Sequence, residues 1–238
     1  MTGDKAMSRI LKAYILVVAI AAMLVIASLG TDGLSETLPV LALLTVLAAA
    51  VGTRSVTLPG LNARLTASDV FTFAALAGAA PMAAPLVALA DVAGAMITGA
   101  KRPPAFRILF NLSAVPLAAA AGASFIQAGR PFCGSAFLCV PFLILLGAVV
   151  CHLANFAMVA AAVGLSHQRD SLRSLVAAAP WTLLSSMASA LAGLGVATML
   201  AGIGPVGVLV GLVCVPPTLA YFRMKHLAHA TQSLRHSS

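Results

Sequence analysis

Between Ala13 and Phe222 the chain is a succession of apolar segments, at about 13–30, 37–52, 66–79, 82–99, 105–128, 137–165, 175–201 and 206–222. Few folds can hold such a pattern. In lipid a spanning element must satisfy every backbone N–H and C=O internally, and a helix of about 20 apolar residues does so across a core of about 30 Å. Composition closes the alternatives. The 238 residues are 61% hydrophobic and 8% charged, whereas a soluble domain carries about 25% charged residues. A water-soluble fold of this length could not hide so much apolar surface. The class is all-α: a polytopic transmembrane helix bundle of 6–8 membrane segments, packed through abundant small residues, with the lipid bilayer as its first partner. It divides into an N-terminal tail over 1–12, one membrane domain over 13–222, and a basic tail over 223–238.

The net charge of +8 could suggest nucleic acid. The basic residues instead fall between apolar segments, as the positive-inside rule requires, so no nucleic-acid partner is expected. With the N-terminus inside, every Lys and Arg except Arg130 lies on the cytoplasmic side. That bias places both termini in the cytoplasm of a bacterial inner membrane. The first segment is longer than a signal-peptide core and no clear cleavage site follows it, so it reads as a retained span. Segment three is short: fourteen residues rise only about 21 Å. If segments three and four form a re-entrant pair, the orientation is unchanged.

The stretch that most needs explanation runs from Leu65 to Ser113, because Asp91 lies in the middle of segment four. A carboxylate at that depth costs at least about 2.5–3.5 kcal/mol unless it is partnered. Ala88, Gly94, Ala95 and Thr98 share its helical face, which is narrow and lined by small or polar groups. Asp91 could bind a ligand or a proton in a cavity; it could equally be buried against Arg107, a serine or a backbone group to set helix packing. Asp69 follows Thr66 and Ser68 as a helix start with an acid in its first turn, or lines the same cavity with Thr72. Arg107 and Asn111 share a face, where Arg107 reaches Asp91, meets an anion or extends to the headgroups. Asn111 then hydrogen-bonds between helices.

Two further groups are polar within apolar segments, and a pair of cysteines lies between two of them. His152 and Asn155 are three apart and suit an interhelical contact or a proton relay. Trp181, Ser185 and Ser189 recur every four residues, as a pocket wall or with Trp181 as an interfacial anchor. Cys133 and Cys139 flank a loop near the expected outer surface, where a disulfide is chemically allowed. No Cys or His spacing fits a metal, so no metal or other cofactor is expected. No Ser–His, paired-Asp or HExxH arrangement has supporting spacing, so no catalytic residues and no enzyme activity are expected.

Residues 65 to about 225 resemble the multi-helix membrane sensor module that precedes GGDEF, HD-type or kinase domains in bacterial signalling proteins. The residues carrying the likeness are Leu65 through Leu76 (LTASDVFTFAAL), the turn around Pro81, the small-residue helix through Asp91, the basic patch Lys101-Arg102 and Phe110-Asn111. The same pair of short helices is more distantly similar to substrate-binding subunits of energy-coupling-factor transporters. The first resemblance implies a non-enzymatic sensing module with a small polar cavity near Asp91, coupled to a cytoplasmic output protein. The second implies a small-solute-binding component that docks on a transporter ATPase. Either could form homo-oligomers. No GGDEF, HD or kinase signature follows Arg223, so any output enzyme is expected on a partner.

Overall fold

A computed structural model of the protein describes residues 9–31, 33–52, 55–57, 64–66, 68–78, 80–97, 104–134, 138–166 and 169–203, with the backbone alone at 55–57, 64–66, 97, 169 and 203. The chain divides into two compact units, Met1–Ala197 and Thr198–Ser238, and of the second only the end of one helix is described. Seven α-helices follow one another: α1 (Arg9–Ser28), α2 (Leu34–Gly52), α3 (Asp69–Gly78), α4 (Ala83–Ile97), α5 (Ala105–Gly129), α6 (Cys139–Leu165) and α7 (Arg169–Ile203). A two-stranded antiparallel ribbon between α2 and α3 pairs β1 (Ser55–Thr57) with β2 (Arg64–Thr66), Val56 opposite Leu65. The expected segment over 206–222 and the tail from Arg223, with its three histidines, lie outside the described residues.

Five of the helices are long and apolar enough to cross a membrane: α1, α2, α5 with the 3₁₀ turn that ends it, α6 and α7. Apart from the short ribbon, the protein is a helical membrane bundle. Helices α3 and α4, of 10 and 15 residues, rise about 15 Å and about 22 Å. Neither spans a core of about 30 Å on its own. They are joined by a tight turn at Ala80–Met82, where the Ala83 N–H donates to the Ala80 carbonyl at 2.8 Å. Helix α7 begins six residues before the apolar segment expected over 175–201. Arg169, Asp170 and Arg173 already belong to α7, because a carboxylate in the first turn suits the positive end of the helix dipole.

Burial sorts the helices. Six consecutive residues of α3, Phe71 to Leu76, are buried, so it is enclosed on every side. Half of the apolar window of α5 is buried, against 28% or less in the other four spanning-length helices. Helix α5 packs on α1, α4 and α6, and α4 packs on α2 and α3. The short pair and α5 therefore form the centre. On α1 the buried stripe Leu11, Ile15, Val18 and Ala22 has a period of one helical turn and meets Phe110 and Ala114 of α5. Its other faces leave Leu16, Val17, Met23 and Leu24 exposed, which suits acyl chains and would aggregate in water. The Tyr14 hydroxyl donates to the Met158 carbonyl at 3.0 Å, tying α1 to α6.

Between α1 and α2 the chain turns in a few residues, and Gly30 and Gly33 take φ of 70° and 72° there. That left-handed conformation is strained for any residue with a Cβ. Beyond α5, Cys133 and Cys139 are disulfide-bonded with Cα atoms 5.3 Å apart. The bridge closes a short loop against the start of α6. Cys133→Ser should lower stability by about 2 kcal/mol, the chain-entropy value for so short a ring. Unfolding with and without reductant checks this: reduction should remove the same increment from the wild type and nothing from the variant.

Candidate functional site: a polar centre at the crossing of two helices

Lipid supplies no hydrophobic force to hold helices together, so close approach of backbones through small side chains must do so. The tightest example joins α2 and α4. A Cβ added at Gly52 would collide with the Asp91 side-chain Oδ1 and lie 2.8 Å from the Asp91 carbonyl oxygen. A Cβ added at Gly94 would collide with the Ala49 carbonyl oxygen and lie 2.9 Å from the Ala49 carbonyl carbon and Cα. The contacts are reciprocal. Each glycine faces the carbonyl of the residue three before the other glycine. Such an arrangement lets Cα–H groups approach carbonyl oxygens across the crossing, and only hydrogen fits at either glycine.

Asp91 stands at this crossing, 7% exposed. The start of α3 supplies its other neighbours. Ser68, fully buried, closes the first turn by accepting the Phe71 N–H at its carbonyl, 3.0 Å away. The Ser68 hydroxyl neighbours the Asp91 carboxyl, yet the two do not reach hydrogen-bonding geometry: Ser68 Oγ and Asp91 Oδ1 are both buried without a partner. Asp69, in the first turn of α3 and half-buried, lies close enough to Asp91 for their charges to interact. Cys151 of α6 lies within the same reach of Asp69. Thr72 is buried one turn further along α3.

The structure thus brings Asp69 to Asp91. Arg107 is exposed on α5, its guanidinium 6.0 Å from the Phe106 ring, and it does not pair with Asp91. Asn111, one turn on, is exposed as well. His152 is half-buried and stacks on Phe156 with ring centroids 6.3 Å apart. Asn155 is half-buried, and its Oδ1 has no partner. Trp181 is 62% exposed. Ser185 is half-buried, and the buried hydroxyl of α7 is its neighbour Ser186. The inward stripe of α7 is Ser186, Ala190, Gly193 and Ala197, one residue out of phase with the Trp181–Ser185–Ser189 face.

Three participants escaped sequence reasoning in that role: Ser68, Gly52 and Cys151. A signal for Gly52 was present, because Ala49-x-x-Gly52 and Asp91-x-x-Gly94 repeat one small-residue spacing on two segments. Ser68 and Cys151 carried none, since their position depends on how α3 and α6 dock. A small recess at the far end of α3, lined by Leu76, Ala80, Pro81, Ile126, Gln127 and Arg130, contains neither carboxylate. Arg130 donates there to the Ala77 carbonyl at 3.4 Å, satisfying one of the last acceptors of α3. Among the described residues no group of three or more His, Cys, Asp or Glu could hold a metal ion.

The fold is that of a multi-pass helical membrane protein whose two shortest helices, α3 and α4, carry Asp69 and the buried Asp91. Comparison with known families agrees: the MASE9 family model matches residues 33–228. The chain belongs to the MASE9 family of membrane-associated sensor domains. It is a membrane sensing module of a non-catalytic kind. No curated protein and no solved structure matches the chain significantly.

Proposed function

We propose that this module works in a bacterial cytoplasmic membrane with both termini in the cytoplasm, and that it signals through the packing at Asp91. A ligand or a change in the membrane shifts the α2–α4 crossing, and the shift reaches a separate cytoplasmic output partner. The observation that carries this reading is the crossing itself. A buried carboxylate without a described basic partner sits on the contact where two backbones meet most closely, so any change in its charge or contacts acts on that contact directly. Packed helix interfaces switch between discrete arrangements rather than deforming continuously.

The test replaces Asp91 by asparagine, which keeps the shape and removes the charge. The variant should insert and fold normally, yet change the activity of the output protein that co-purifies with the module by about fivefold or more, the lower range of coupling between linked sites. Unaltered output from a normally inserted variant would refute the reading, and co-purification with a transport ATPase would redirect it. The orientation rests on the Lys and Arg distribution, in which only Arg130 falls outside. Reporter fusions at Ser238 should be active in the cytoplasm and silent outside it. The reverse pattern overturns the topology.

A further inference from the structure

We propose that the recess at the far end of α3 binds the free anion of a short-chain monocarboxylic acid, its alkyl end inside and its carboxylate on Arg130. The inference deepens the sensing reading and rests on it for its biological meaning; the binding itself does not depend on that reading.

The floor sets what can enter. The recess lies where the last turn of α3, the Ala80–Met82 turn and the end of α5 meet. Ala75, Leu76, Ala80, Ala123 and Ile126 line it and are all buried. Three of these are alanines, whose short side chains leave a hollow in an otherwise packed centre. It has room for about two or three water-sized groups. The floor side chains offer no hydrogen bond, and ordered water needs polar partners, so an alkyl group is the better occupant.

The mouth has the opposite chemistry. Gln127 and Arg130, both exposed, stand three apart at the end of α5 and line the same recess. A guanidinium presents five N–H donors in a planar fork that fits a carboxylate. Among the described residues its one polar partner is the Ala77 carbonyl, at 3.4 Å, beyond the usual range for an N–H···O bond. Most of the fork is therefore left for a ligand. The Ala77 carbonyl belongs to α3, so this contact also carries the guanidinium from the helix that bears it to the other wall. The backbone of Arg130 is anchored as well. It opens the 3₁₀ turn that ends at Cys133, whose N–H donates to the Arg130 carbonyl at 3.1 Å and whose sulfur is bridged to Cys139. A rim held in this way has less to order on binding.

Floor and rim together choose the ligand. One small apolar hollow and one cation ask for one short alkyl end and one negative charge. A dicarboxylate would put its second charge on the apolar floor. A phospholipid would set its phosphate on Arg130 and leave the floor empty. Helix α4 starts at Ala83, beside the recess, and continues to Asp91 at the α2 crossing. An occupant that ties the turn to α5 thus bears on the helix that makes the α2 contact.

The test uses the full chain in phosphatidylcholine nanodiscs, with propionate as the probe and no signalling readout. Isothermal titration calorimetry measures binding, and the melting temperature is followed in parallel. Propionate should bind saturably in the millimolar range, as so few atoms allow, and raise the melting temperature. Propionamide, of the same size but neutral, and hexanoate, too long for the hollow, should each bind about tenfold or more weakly. Arg130→Gln, at an exposed position, should fold and should weaken propionate by about the same factor. Ala80→Val narrows the floor and should weaken propionate more than acetate, a selectivity that loss of charge does not produce. The proposal is overturned if propionate does not bind, if propionamide or inorganic phosphate binds as well as propionate, or if Arg130→Gln changes nothing. It is overturned in favour of a lipid headgroup if phosphatidylglycerol in the nanodiscs raises the melting temperature through Arg130 while propionate has no effect. None of these results touches the Asp91 reading. Unaltered output in Asp91→Asn with intact propionate binding would sink that reading alone.

Discussion

Replacing Gly94 by valine separates α2 from α4 and lowers stability by about 3 kcal/mol, the upper part of the usual range for overpacking. The expected size follows from what the new side chain would strike. At Gly94 the obstacle is the backbone of Ala49, which cannot rotate away as a side-chain end can. Interiors are packed at crystal-like density, so an obstruction of this kind displaces a whole helix. Gly164→Ala is the control, because nothing lies within 4 Å of the position where its Cβ would stand. There the ordinary helix propensity of alanine should dominate and stability should rise by up to about 1 kcal/mol. Thermal unfolding in detergent, followed by size exclusion, measures both. Equal behaviour of the two variants would show that the crossing is not a tight contact.

The second large effect has the opposite sign. At alkaline pH, Asp91→Asn should be more stable than the wild type by about 1–3 kcal/mol. Removing a charge that is buried without a partner relieves its desolvation, and the amide fills the same space beside Gly52. A substitution at a structural ion pair would instead destabilise, since it would leave a partner charge stranded. The sign of the change in melting temperature therefore separates an uncompensated carboxylate from a paired one. A loss of stability would mean that a cationic partner reaches Asp91 after all.

How far the site was legible can be judged residue by residue. Asp91 stood out because a single acid within an apolar segment is costly at any rotation of its helix, so depth alone draws attention to it. Asp69 joined it through local chemistry, since a helix start is written in a few adjacent residues. Arg107 and Asn111 share a helix face as their spacing requires, but spacing says nothing of which way that face turns, and it turns outward. The same uncertainty of rotation explains the exchange of Ser185 for Ser186 on the inward stripe of α7. In an apolar helix every face is compatible with either lipid or protein. The polarity that orients a helix in a soluble fold is missing. The ribbon Ser55–Thr57 with Arg64–Thr66 leaves no trace in the apolar pattern, because strands of three residues fall below any periodic signal.

By itself, the sequence determined the solvent of this protein, the helical class that solvent enforces, and the membership in a family of membrane sensors. The first two follow from transfer free energies and from the backbone's need to satisfy itself in hydrocarbon, and the third from a match over residues 33–228; all are sums over many residues and survive local error. Only the tertiary structure decided that Gly52 and Gly94 exchange backbone contacts, that Ser68 stands beside Asp91, and that no described cation answers the two acids. Those facts depend on the rotation and docking of individual helices, and in lipid they are set by the shapes of small side chains rather than by their polarity.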